Sequence, residues 1–366
     1  MSGILWVIGA GASLHLGFPL LRDFTAFFET IWNFKDTRDG ETLENRQLPE
    51  IAEVLPWAID LMKSPQYRGK NIEQILNLVS ADDNRRLKKA IRVSFERRNI
   101  GRLFKLIPSS DGSSKPKLDL YGRLLCLLQR GDKIVDFNYD NAIEIVMSLV
   151  HGDYSTLDLR SLSVGQKAAM KREGLNRWVS PDCVRRLSEL RCALVPASGV
   201  FDSTGEITIG SRSEEFFLIK IHGSINWFLS PRRLVQVGEP DQNDYETVII
   251  YPESDKSATS EEPYCRIMDE AVRALSDLDV MVVIGYSIPE SDSENHPFVK
   301  QLLARPPKRL VIVDPNPSES IVSLAKRTSA TVIRHGLERL FDPDFKVDQR
   351  DFRLFIDDLR STARGS

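Results

Sequence analysis

Ile4-Leu5-Trp6-Val7-Ile8 runs directly into Gly9-Ala10-Gly11-Ala12-Ser13, and Gly17-Phe18-Pro19 follows. The first five residues are apolar, with β-branched and aromatic members, which predicts a buried strand. Glycines directly after a buried strand let the backbone pass close to a phosphate, with amides of the turn and of a nearby helix end as donors. The alternative is a tight strand-to-loop turn such as any α/β protein uses. The stretch is not the dinucleotide fingerprint G-x-G-x-x-G, because Leu14 stands where the third glycine belongs. The usual ribose-binding acid at a following strand end is also missing.

Outward from this turn, residues 20–32 read as a helix with Phe24, Phe27, Phe28 and Ile31 on one face. Residues 35–48 are polar and loop-like. A helix resumes over 51–62, with Pro56 making a kink or a boundary near its middle. Asn71 caps an apolar repeat of Ile72, Ile75, Leu76 and Val79. Residues 85–104 continue the helical pattern, and no second strand is evident before residue 133. A plain doubly wound unit returns to its sheet much sooner. The reading is therefore a helical subdomain inserted after the first strand.

From residue 118 strands alternate with helices. Residues 108–117 form a flexible connection, 118–129 a leucine-rich helix, 133–137 a strand and 142–150 a helix. Residues 151–215 are poorly periodic, with mixed loop, short helix and hairpin expected. A strand over 216–221 follows, then a small antiparallel pair from 233–237 and 246–251, and a charged loop over 252–263. Helices at 264–275, 297–304 and 318–326 separate strands at 279–284, 309–313 and 331–334, and a helix over 351–359 ends the chain. This predicts an α/β, Rossmann-like, mostly parallel sheet with helices on both faces. The expected division is a core of 1–24 and 118–340, an inserted helical subdomain of 25–117, and a C-terminal helical tail of 341–366.

The chain of 366 residues is 42% hydrophobic and 28% charged, a globular and soluble composition. No stretch approaches eighteen apolar residues, and the start lacks the pattern of a secretory signal. The formal charge of -3 argues against a generally basic nucleic-acid binder. Cys126, Cys183, Cys192 and Cys265 are scattered without a C-x-x-C pair, so no Cys₄ zinc module is expected and a reducing cytoplasm fits.

Polar residues at strand ends carry the candidate chemistry, because open parallel sheets bind ligands there. His222-Gly223-Ser224 closes one strand, and its imidazole suits proton transfer, or a core hydrogen bond to a carbonyl. Asn138 holds a ribose hydroxyl or a water through its donor and acceptor, or is a turn residue. Asp140 accepts from an amide or steadies a developing cation, or caps the helix from Ala142, or does both. Gly285-Tyr286-Ser287 adds another glycine and a hydroxyl. Residues 85–105 hold a dense basic cluster with Glu96 as the lone acid, read first as a solvated helix face and second as a nucleic-acid or acidic-partner surface.

These motifs together resemble the SIR2 (sirtuin) superfamily, and most of all its bacterial SIR2-like branch in anti-phage defence. That family's GAG-[IA]-S and G-x-P match Gly9-Ala10-Gly11-Ala12-Ser13 and Gly17-Phe18-Pro19. The defence branch's T-T-N-Y-D matches Asn138-Tyr139-Asp140, while Asp136 and Phe137 replace both threonines. L-H-G-S corresponds to Ile221-His222-Gly223-Ser224, and the later G-x-S to Gly285-Tyr286-Ser287. Arg22 is a looser match, in altered order, to the family's Asp-Phe-Arg, and Asp314 ends the late strand that holds the adenosine half.

The resemblance implies hydrolysis of NAD at the nicotinamide–ribose bond, giving nicotinamide and ADP-ribose. Asn138 and His222 would be catalytic. Gly9, Ala10, Gly11, Ala12, Ser13, Pro19, Arg22, Asp140, Gly285, Ser287 and Asp314 would hold the dinucleotide, with no zinc. It also implies a gated, cytoplasmic effector of antiviral defence and abortive infection. Its control would lie in a homo-oligomer or in a protein partner such as an ATPase or an Argonaute. Rival readings are a zinc-free deacylase or ADP-ribosyltransferase, a non-enzymatic NAD or ADP-ribose binding module, and a nucleic-acid component resting on residues 85–105.

Overall fold

A computed structural model of the chain describes residues 3–38, 41–98, 119–151, 185–195, 215–229, 235–237, 246–251, 260, 264–276 and 279–363. Its strands are β1 (Ile4–Ile8), β2 (Lys35–Arg38), β3 (Glu41–Glu44), β4 (Lys133–Asp136), β5 (Arg191–Val195), β6 (Glu215–Lys220), β7 (Gly223–Leu229), β8 (Val235–Val237), β9 (Glu246–Ile249), β10 (Val280–Ile284), β11 (Arg309–Val313) and β12 (Ser329–Ile333). A seven-stranded parallel sheet runs in the order β12-β11-β10-β1-β4-β6-β5. The strand read first from the sequence is its centre: Val7 lies beside Val283 of β10 and Val135 of β4.

All five residues of β1 are buried, and they divide by parity as a strand's side chains must. Ile4, Trp6 and Ile8 face one apolar cluster; Leu5 and Val7 face another. The first cluster is completed by helices α1 (Ala10–Ser13), α2 (Phe24–Trp32), α3 (Pro49–Lys63), α4 (Ile72–Leu76), α5 (Ala81–Arg98), α6 (Asp119–Leu125) and α7 (Ala142–His151). Of these, α2 supplies Phe24, Phe28 and Ile31, α3 supplies Val54 and Leu55, and α5 supplies Leu87 and Ile91. The second cluster is covered by α8 (Tyr264–Ser276), α10 (Pro297–Ala304) and α11 (Glu319–Ala325), which bury Ile267, Ala271, Phe298, Leu302 and Ile321 against it, while the short α9 (Glu290–Asn295) leads into α10. The closing helix α12 (Phe352–Ala363) returns to the first face through Phe352, Phe355 and Ile356. The expected sheet with helices on both faces is present, as is the helical insertion after β1.

Several local expectations are corrected. Residues 35–48 carry the antiparallel hairpin β2–β3 and a short turn capped by Glu44, where only loop was expected. Helix α3 runs through Pro56 without a boundary, because Val54 and Leu55 before it and Ala58 and Ile59 after it pack into the same core. The helix expected from residue 20 begins at Phe24, because residues 18–20 are not helical and the chain turns over 20–23, with Asp23 N donating to Leu20 O, before α2 starts. Of the stretch 151–215, residues 152–184 and 196–214 lie outside the described residues; within the described part β5 pairs in parallel with β6 at the edge of the sheet. The expected pair of 233–237 with 246–251 does not form, because β8 and β9 both pair with β7, which lies between them. Helix α9 occupies residues to which the sequence pattern assigns no element. The flexible connection at 108–117 and most of the 252–263 loop lie outside the described residues.

Two buried ion pairs mark the two ends of β4. At its amino end Asp132 accepts from Ile4 N (2.8 Å), Trp6 Nε1 (3.2 Å) and Gln129 N (3.1 Å), and pairs with Arg360 of α12. At its carboxyl end Asp136 pairs with Lys220 of β6 at 3.2 Å. The first joins strands to the closing helix; the second lies under the strand ends where the candidate residues converge.

Candidate active site

A cavity of about 570 Å³ opens at the carboxyl ends of β1, β4, β6, β10 and β11. Its lining includes Ala10, Gly11, Ser13, Pro19, Arg22, Asn138, Asp140, His222, Gly285, Ser287 and Asp314, residues spread over three hundred positions of sequence. Gly9 and Ala12 are not part of the lining. Pockets of 300–1,000 Å³ are usual for small-molecule and cofactor sites.

The glycines are explained first by packing. Gly285 has φ 61°, and a Cβ there would stand 2.4 Å from Ala12 N. A Cβ on Gly9 would meet Gly285 O and Tyr286 at 2.7 Å, and one on Gly11 would meet Gly285 Cα at 2.8 Å. The two glycine loops are thus pressed together, with Gly11 N donating to Gly285 O and Gly9 N to Ile284 O. Ala12 N donates to Gly9 O. The amides of Gly9, Gly11 and Ala12 are therefore spent within the protein, which takes them out of the expected phosphate cradle.

Ser13 is the centre of the polar network. Its hydroxyl donates to Asp140 Oδ2 (2.6 Å) and accepts from Asn138 Nδ2 (3.0 Å). With its single hydrogen given to the carboxylate, the 2.7 Å contact with Tyr121 has the phenol as donor. The Tyr121 phenol is fully buried, and burial, with Asp140 and Asp136 nearby, pushes its pKa well up, so it stays protonated for that role. Asn138 gives one of its two amide hydrogens to Ser13. Asp140 is 3% exposed and accepts from Ala142 N through Oδ1 (3.0 Å), so it caps α7 while serving the site.

His222 sits in the turn between β6 and β7, 7% exposed. Phe137 meets its ring edge-on at 5.0 Å between centroids, and His296 lies 5.3 Å away. Phe137 in turn stacks on Tyr286 at 3.9 Å, whose hydroxyl donates to the buried Asp292 (2.8 Å). The strand end is tied down through the backbone: Ile250 N donates to His222 O, and Tyr139 OH to Ile250 O. Helices of the insertion form one wall, with Asn71, Glu73 and Phe95 lining the cavity. Arg22 stands at the cavity with its side chain exposed, 3.7 Å from Asp23. Asp314 accepts from Asn316 N (2.7 Å).

Tyr121, Lys220, Glu144, Asp292 and His296 belong to this region and were not singled out from the sequence. The signal for Lys220 and Glu144 was present, since each is a charge inside an otherwise apolar run. Tyr121 carried no such mark. Among the described residues no three His, Cys, Asp or Glu stand together as a metal site. Much of the basic cluster on α5 is engaged within the protein. Arg86 lies over the Trp57 ring at 4.5 Å, Lys89 pairs with Glu53 at 2.7 Å, and Lys88 lies over Tyr251 at 5.4 Å. Arg97 pairs with Glu50. Arg102 and Lys105 lie outside the described residues.

Fold and site together define a parallel α/β protein with a crevice where its strands end, largely apolar in its lining and polar at Ser13, Asn138, Asp140 and His222. No protein-family profile matches the chain, and no curated protein matches it. Among solved structures, a Sir2 homologue mutant in complex with 2′-O-acetyl ADP-ribose aligns over 98% of this chain and 92% of its own, at 14% identity and a TM-score of 0.37. A second Sir2 homologue mutant, in complex with ADP-ribose, aligns over 98% and 94%, at 12% identity and a TM-score of 0.31. The resemblance is weak and is to Sir2 proteins in general.

Proposed function

We propose that the crevice binds NAD and hydrolyses its nicotinamide–ribose bond. The observation that carries this reading is the convergence of Ser13, Asn138, Asp140 and His222 in one cavity at the strand ends. The order of the sequence motifs supplies the substrate. The bond between the anomeric carbon and the pyridinium nitrogen breaks, and nicotinamide leaves with the electron pair. The positive charge left is shared by the anomeric carbon and ring oxygen. The buried Asp140 carboxylate, fixed by Ser13 and Ala142 N, suits that charge or the carboxamide of the leaving group. Asn138 accepts from a ribose hydroxyl or the incoming water through Oδ1. His222 takes the proton as the water oxygen bonds to the anomeric carbon, so the products are nicotinamide, ADP-ribose and one proton.

Such an activity drains a cell of NAD unless it is restrained. The restraint proposed is assembly or a protein partner, in keeping with a role in anti-phage defence. The inserted helices are its place of action, because they line the crevice through Asn71, Glu73 and Phe95.

The test is NAD loss by purified protein beside the His222→Ala variant, without an acyl substrate. Removal of a general base is expected to cut turnover by about 10²-fold or more, with the melting transition retained. A variant that folds and turns over like the wild type removes His222 from this role.

A further inference from the structure

Lys220 has 0% exposure at the carboxyl end of β6, on a strand whose Phe216, Leu218 and Ile219 are all core. Its ammonium meets oxygens from three places. Asp136 Oδ2 at the end of β4 lies at 3.2 Å, Glu144 Oε1 in the first turn of α7 at 3.5 Å, and the carbonyl of Asp140 in the loop between them accepts a hydrogen bond. Burial alone would push the ammonium's pKa down, but the carboxylates of Asp136, Glu144 and Asp140 outweigh it and hold the group charged. An apolar residue of similar volume is often at least as stable as a buried ion pair. Stability therefore does not account for a lysine here.

Its position does. Asp136 accepts from Lys220 Nζ on Oδ2 and from Asn138 N on Oδ1 at 3.0 Å. The ammonium thus reaches the backbone of Asn138 through one carboxylate and that of Asp140 directly, while His222 follows two residues on along the same chain. We propose that Lys220 is a positioning residue that holds the loop of Asn138 and Asp140 in fixed relation to His222. As a statement about catalysis this rests on the NAD-hydrolysing reading of the crevice; as a statement about the loop it does not.

Lys220→Met keeps the stem and removes the charge. A small misplacement of reacting groups costs about 10²-fold in rate, so kcat is expected to fall by that order with KM for NAD little changed. Amide hydrogen exchange over residues 136–142 is expected to accelerate. Arg360→Met is the matched control, because it removes the other buried cation, at the far end of β4. It is expected to lower the melting temperature while leaving kcat and exchange over 136–142 as in the wild type. Should Lys220→Met not fold, Asp136→Asn breaks the same link without a change of volume and carries the same expectations. A folded variant with wild-type kcat and wild-type exchange overturns the proposal, as does an Arg360→Met protein that reproduces the kcat loss. A wild type that consumes no NAD defeats the functional reading instead, and the exchange rates then decide the loop clamp by themselves.

Discussion

Asp136 shows how much a single residue's setting decides. Burial, the largest influence, raises its carboxyl pKa to about 7, with Asp140 and Glu144 adding to the rise and Lys220 opposing it. In the unfolded chain the same carboxyl returns to about 3.9. Between these values the folded state keeps a proton that the unfolded state has released, so stability falls as pH rises through the window. The contribution is fully present below about pH 4 and gone above about pH 7. Lys220 stays charged across this range and adds no slope. Melting temperature is therefore expected to drop from pH 5 to pH 8, and Asp136→Asn to flatten the drop; an unchanged slope in the variant would place the titration elsewhere. Asn138 and His222 were legible in sequence because polar residues that end apolar strands are marked by contrast. Lys220 and Glu144 carried the same contrast. That they answer one another required the pairing of β4 with β6, which no local pattern encodes.

At the scale of elements, the two glycine loops behave as one unit. Gly9 and Gly11 follow β1, Gly285 follows β10, and each occupies space that a side chain on the other would need. Gly285→Ala adds both a methyl group against Ala12 N and an unfavourable φ. It is expected to destabilise the fold by about 2 kcal/mol or more, read as a lower denaturant midpoint. An unchanged midpoint would contradict the packing of the two loops. Apolar runs and faces bounded by turn residues were readable: α10 and β11 have the bounds their sequence patterns indicate. The misses lacked such a mark. β5 is a five-residue edge strand, recognisable only by its partner β6. β7 begins at Gly223 directly after a strand, so its run looked like a continuation of the His222 motif. The β2–β3 hairpin is polar except for Leu43 and has no apolar alternation to betray it.

At the scale of the whole molecule, the sheet is covered on one face by the inserted helices and on the other by helices from the second half of the chain. The crevice opens where the strands end, walled in part by the insertion. Among the described residues no helix is long and apolar enough to cross a membrane. That helices are inserted after β1 was legible from the delayed return of the chain to the sheet. The insertion's contact with the crevice was not, because Asn71, Glu73 and Phe95 sit far from the motifs in sequence and carry no catalytic mark. The measurement that reaches the central claim most directly is NAD turnover in heavy-oxygen water, run on every species of the purified protein separated by size, beside Asn138→Ala. The account expects nicotinamide and ADP-ribose in equal amounts, with one heavy oxygen atom in each ADP-ribose, and neither product from the variant. NAD that survives intact with every species, or ADP-ribose that leaves without solvent oxygen, would contradict it.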